Sequence, residues 1–193
     1  MKKFSHMKFK VLILFSVLSF ALPTFGFDAN IKMVNFDSKD QSKILKAIKV
    51  IKKVMSSSEF KQKILEHTFE GERKFLDNKG HSNEEILQII LDGAEELHPV
   101  KNGQMDIELE LMESKSKTVG HTYPDTKRIW INRKYFNSFT TAEIANNLFH
   151  EWLHKLGYDH ASHYSTERNF SVPYAIGTLM GELAKIYADE SHL

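Results

Sequence analysis

The chain reads as a single α+β domain. Three observations predict this. Stretches with helical periodicity occupy 38–55, 82–97 and 140–156, a strict period-two run occupies 105–111, and two segments of strand character follow it at 118–123 and 127–132. Helices before and after a cluster of strands, rather than alternating with them, give an α+β arrangement. The chain has 193 residues, 41% of them apolar and 26% charged, which suits one globular domain and not a disordered or fibrous chain. It contains no internal repeat, low-complexity tract or second-domain linker.

The elements follow in order. Residues 1–10 hold four lysines and no acid, 11–22 are uncharged and mostly apolar, and Pro23-Thr24-Phe25-Gly26 supplies small residues near a cleavage point. This is the pattern of a secretory signal peptide, cut after Gly26. The apolar run is too short for a spanning helix, and no cysteine follows it to carry a lipid. The mature domain, 27–193, is then expected outside the cytoplasm, periplasmic or extracellular, with 22 basic and 25 acidic residues.

Asp37 or Ser38 caps a first helix that places Ile44, Ala47, Ile48, Ile51, Val54 and Met55 inward and lysines over much of the rest. A solvated lysine face is expected, with adhesion to an anionic surface as the rival use. Ser58 is expected to cap a shorter segment through Glu66, and 69–81 reads as loop. Ser82 and Glu85 form a capping box for a helix that turns Ile86, Ile89, Ile90, Ala94 and Leu97 inward and stops at Pro99. In the period-two run Met105, Ile107, Leu109 and Leu111 alternate with acids, so one face of that strand is wet. Thr140 and Glu143 form a further capping box, and a terminal helix is expected over 174–188 with Met180 in the core.

Composition removes several function classes. A net charge of +1 lacks the excess lysine and arginine of a nucleic-acid binder. With no cysteine there is no disulfide, thiolate metal site, iron–sulfur cluster or cysteine nucleophile. Ten histidines and the carboxylates remain as metal ligands.

The chemistry is concentrated in His150-Glu151-Trp152-Leu153-His154-Lys155-Leu156-Gly157-Tyr158-Asp159-His160. Residues four apart on a helix share a face, so His150 and His154 can offer two nitrogens to one ion. Glu151 lies beside the remaining coordination position. Gly157 can take the left-handed conformation that ends a helix, and His160 follows it by three residues, placed to return as third ligand. Three imidazoles and a water make an open, catalytic zinc site, with Glu151 as general base toward the zinc-bound water. Glu167 or Glu182 would be the third ligand in the alternative arrangement that takes a glutamate from a later helix. Chance placement of this pattern in a chain of such composition has a probability of about one in ten thousand. His67, His81, His98, His121 and His163 are expected at the surface.

The eleven residues resemble the long zinc-binding signature of the metzincin metallopeptidases, position for position. The resemblance is sharp over 140–160, loose over 105–139 and not detectable before 100. It implies a zincin-like domain with a small mixed sheet, an active-site helix and a C-terminal helix. It also implies zinc on His150, His154 and His160, general-base catalysis by Glu151, and an edge strand over the cleft, here 118–123, that aligns extended substrate. Metzincins carry a methionine in a tight turn below the metal, often followed by tyrosine; here Pro173 stands in that place, followed by Tyr174. Tyr174 then serves either as a fifth ligand or oxyanion donor, or in packing. The reading is an exported zinc-dependent endopeptidase acting on a protein or peptide, with no nucleic-acid partner and no membrane span after signal cleavage. The alternative is a non-catalytic, zinc-stabilised secreted binding domain.

Overall fold

The computed structural model describes residues 26–189. Apart from Gly26, the expected signal peptide lies outside the described residues. Four strands form one mixed sheet: β1 (Asp28–Val34), β2 (Gln104–Met112), β3 (Gly120–Thr122) and β4 (Arg128–Asn132). Their spatial order is β1-β2-β4-β3. β1 and β4 flank β2 in parallel, and β3 runs antiparallel along the outer edge of β4.

The alternation in β2 separates a dry face from a wet one. Met105, Ile107, Leu109 and Leu111 are buried and join Ile129 and Ile131 of β4 in the core. On the other face Glu108 pairs with Lys32 at 3.1 Å, and Arg128 joins Glu108 at 3.0 Å and Glu110 at 2.7 Å. β1 was not legible in the sequence. It is an edge strand whose Ile31 and Met33 are only partly buried against the core, too short an alternation to signal itself.

The apolar core continues into helices α1 (Ser38–Ser56), α2 (Ser58–Leu65), α3 (Asn83–Asp92), the short α4 (Arg133–Phe136), α5 (Thr141–Lys155) and α6 (Val172–Asp189). Asp37 caps α1 by accepting from the Asp40 amide at 2.8 Å, and the apolar positions expected to face inward are all buried. Two lysines of its polar face are tethered: Lys43 donates to the Phe136 and Asn137 carbonyls, and Lys52 pairs with Asp28 at 2.8 Å.

Boundaries differ from the sequence expectation at several points: the edge strand expected over 118–123 is the three-residue β3, and α2 ends at Leu65. Ser57, not Ser58, caps α2, accepting from the Phe60 amide. α3 ends at Asp92 instead of running toward Pro99, because Gly93 turns left-handed at φ 65° and closes on the Ile89 carbonyl. A Cβ on Gly93 would lie 2.3 Å from the Gln104 carbonyl oxygen, so only glycine lets β2 start there. Leu97 is consequently 47% exposed. α6 begins at Val172, two residues early, since Pro173 needs no amide partner in a first helical turn. Among the described residues no helix is long and apolar enough to cross a membrane.

Two glycines set how closely α6 approaches α5. A Cβ on Gly177 would lie 3.0 Å from His150 Cβ, and one on Gly181 would lie 2.9 Å from Asn146 Cβ. Spaced one turn apart, they give α6 a smooth stripe directly behind His150.

Candidate active site

α5 begins with the Thr140–Glu143 capping box, closed in both directions. Its far end is a Schellman motif: the Gly157 amide donates to the His154 carbonyl and the Tyr158 amide to the Leu153 carbonyl, each at 3.1 Å, with Gly157 at φ 91°. The reversal returns the chain toward the helix face that carries His150 and His154. It brings His160 into a cluster in which one ligand atom from each histidine lies within 4.8 Å of the others. Glu167 and Glu182, the alternative third ligands, are exposed and stand outside this cluster.

A backbone carbonyl holds each imidazole. His154 Nδ1 donates to the Tyr158 carbonyl at 2.8 Å and His160 Nδ1 to the Ala161 carbonyl at 3.0 Å. His150 hydrogen-bonds the backbone of Pro173, whose only backbone hydrogen-bonding group is its carbonyl. With the Nδ1 protons of His154 and His160 committed, their Nε2 atoms are left as acceptors, and His150 Nε2 and His160 Nε2 lie 3.3 Å apart. Burial, with the neighbouring histidines, holds the His150 pKa down to about 3, and burial lowers that of His154. Neutral rings with converging lone pairs repel one another unless a cation lies between them. This donor set therefore fits a divalent metal, with the second hydrogen bond on each ring fixing tautomer and aim. The backbone of Pro173 is part of that support.

Glu151 is 5% exposed. Burial pushes its carboxyl up to about 8, with Lys155 pulling the other way. Gly120 of β3 lies against it: a Cβ at Gly120 would come within 3.1 Å of Glu151 Oε1 and 2.9 Å of Asn147 Nδ2. The edge strand, the carboxylate and the histidines thus line one groove, of about 1100 Å³. Lys155, also buried, donates to the Tyr123 carbonyl at 2.8 Å and to the Thr126 carbonyl, tying the β3–β4 turn to the end of α5. The Tyr174 ring packs with its centroid 4.6 Å from those of both His150 and His160, and the Arg168 guanidinium sits 4.5 Å above it.

Four of the five histidines expected at the surface have other surroundings. His121 lines the groove and stacks on Trp130 with centroids 5.2 Å apart. His67 stacks on Phe75 at 3.9 Å, and His81 Nδ1 meets the Tyr158 hydroxyl at 3.0 Å. His98 joins Glu95 and Asp106 in a second cluster. His163 is exposed as expected. Lys155, Gly120 and Gly177 are site-shaping residues that sequence reasoning missed; only their proximity to the motif or to the strands could have drawn attention to them.

No family model and no curated protein matches the chain. Among solved structures it is similar to a zinc peptidase from Grifola frondosa, at 13% identity and a TM-score of 0.45, covering 81% of this chain and 98% of that one.

Proposed function

We propose that the chain is a zinc-dependent endopeptidase. The observation that carries this reading is the convergence of three Nε2 lone pairs beside a buried carboxylate in an open groove bordered by a sheet edge. His150, His154 and His160 would hold the ion. Zinc, when bound, supplies Lewis acidity that polarises the scissile carbonyl and acidifies water. Glu151 accepts a proton from the attacking water at a carboxylate oxygen and returns it to the leaving amine. Its burial beside the histidines places the carboxylate where water held at the ion would lie. The free edge of β3 aligns an extended peptide by strand addition, and Gly120 leaves room for that peptide beside Glu151. Tyr174 presents its hydroxyl to the developing oxyanion, with its ring held between Arg168 and the histidines.

The non-catalytic alternative rests on Pro173 in place of methionine. The Pro173 carbonyl supports His150, and a buried glutamate against a substrate-sized groove favours hydrolysis. Incubating the purified protein with an unfolded, label-quenched protein substrate tests the reading. Cleavage is expected that a chelator abolishes and stoichiometric zinc restores. Zinc binding without cleavage of several such substrates favours the binding domain.

We also propose that the protein is exported, with cleavage after Gly26. Phe27 is buried against Trp152 at a centroid distance of 5.5 Å, so a chain cut after Gly26 would keep this core contact. Sequencing the N-terminus of protein recovered from periplasm or medium should read Phe27 first; a mature protein still starting at Met1 rejects it.

A further inference from the structure

Glu95 and His98, in the loop between α3 and β2, meet Asp106 of β2 so that one ligand atom from each lies within 4.8 Å of the other two. None of the three lines the catalytic groove. Glu95 is 2% exposed, and its Oε1 is fully engaged: it accepts from Trp152 Nε1 at 2.7 Å and from the Asp106 amide at 2.8 Å. Its Oε2 is buried without a hydrogen-bond partner, and so is His98 Nδ1, whose nearest acid is Asp106 Oδ2 at 3.6 Å. Asp106 is held by two neutral amides, Asn30 Nδ2 at 2.8 Å and Asn102 Nδ2 at 2.9 Å.

Among the described residues no lysine or arginine forms an ion pair with Glu95 or Asp106. Two carboxylates near each other and away from water, with no lysine or arginine beside them, are costly unless a cation or a proton neutralises them. A protonated His98 would reach Asp106 Oδ2 at 3.6 Å but leave Glu95 Oε2 without a partner. A shared proton does not span the gap, because no hydrogen bond joins Glu95 Oε2 to either neighbour. Burial accordingly holds the Glu95 carboxyl above its usual range.

We propose that Glu95, His98 and Asp106 form a second divalent-cation site, structural in role and suited to zinc. One imidazole nitrogen and two carboxylate oxygens neutralise a divalent ion and match the ligand types zinc takes. The hydrogen bonds from Trp152, Asn30 and Asn102 are the outer contacts that orient ligating carboxylates. An ion here fastens the loop after α3 to β2 and, through Trp152, to the helix that carries His150 and His154. This site does not depend on the catalytic reading.

The test is a zinc count on chelator-stripped, zinc-reloaded and gel-filtered protein. The wild type should hold two equivalents, and Glu95→Gln and His98→Ala one each. Glutamine preserves the acceptor for Trp152, and the His98 side chain is 39% exposed, so both variants should keep the native circular dichroism. Equal counts in wild type and variants, as a bridging water would give, overturn the proposal. A wild-type count of one that falls to zero in His98→Ala supports this site while removing zinc from the histidine triad. Anomalous scattering at the zinc edge from wild-type crystals gives a readout independent of variants: a peak between Glu95, His98 and Asp106 is expected, and its absence overturns the site.

Discussion

His150 and Glu151, adjacent in sequence, oppose one another in the pH dependence of folding. His150 has its folded pKa near 3, against about 6.5 when unfolded, so the unfolded chain binds the extra proton as pH drops between those values. Its contribution to stability is complete above about 6.5 and is lost as pH falls toward 3. Glu151 is raised to about 8, so the folded state holds the extra proton between the unfolded value, about 4.3, and 8. Its contribution is present in acid and is lost as pH rises through that window. In the metal-free protein the two slopes cancel between about 4.5 and 6.5. Replacing Glu151 by Gln removes one of them. Chelated Glu151→Gln should lose stability on acidification below about pH 6.5, by up to about 1.4 kcal/mol per pH unit from His150 alone. Urea midpoints from pH 7.5 to 5 measure this, and a flat profile contradicts the burial of His150. At the same scale, Gly120→Ala should crowd Glu151 and Asn147 and lower kcat/KM by about tenfold, equivalent to roughly 1.4 kcal/mol, with little change in Tm. An unchanged kcat/KM would show that both side chains move aside without consequence.

The contact between α5 and α6 decides whether the Pro173 backbone and the Tyr174 ring stand against His150. In an exposed helix interior, Gly177→Ala would add about 1 kcal/mol of helix stability. Here the new methyl meets His150 Cβ at 3.0 Å, and overpacking of about 1–3 kcal/mol outweighs that gain. Zinc affinity of Gly177→Ala should drop at least tenfold, while Thr178→Ala, on the exposed side of α6, should match wild type. Equal affinity in both variants would mean that α6 does not set the position of His150. The same contact shows what the sequence could and could not disclose. α5 announced itself through its capping box, its periodic apolar face and the eleven-residue signature, all of them local. Gly177 and Gly181 did not, because a glycine in an apolar helix acquires meaning only when the facing element is known. β1 escaped for a related reason: it is an edge strand whose inner face, Ala29, Ile31 and Met33, is only partly buried, so its alternation is short and weak. α3 was read too long because Ala94 and Leu97 continue the helical period, and the need for glycine at 93 comes from a strand that begins eleven residues later.

At the scale of the whole molecule the fold class was legible, since β2 and its two companions stand between helices and no second core exists in 164 described residues. The three histidines and the glutamate of the site were also legible, because the geometry is local to one helix and one turn. The cluster of Glu95, His98 and Asp106 was not, as it joins a loop to a strand through side chains that no spacing relates. The groove depends on a frame assembled from both kinds of information: the sheet edge, the tether from Lys155 to the β3–β4 turn, and the glycine stripe of α6. The most direct measurement sets zinc content beside peptide hydrolysis for wild type and Glu151→Gln. The variant should keep the wild-type zinc count and fold while hydrolysing an unfolded protein substrate at least a thousandfold more slowly, a loss of roughly 4 kcal/mol in transition-state stabilisation. Wild-type rates in Glu151→Gln, with zinc in place, would contradict the role assigned to this carboxylate.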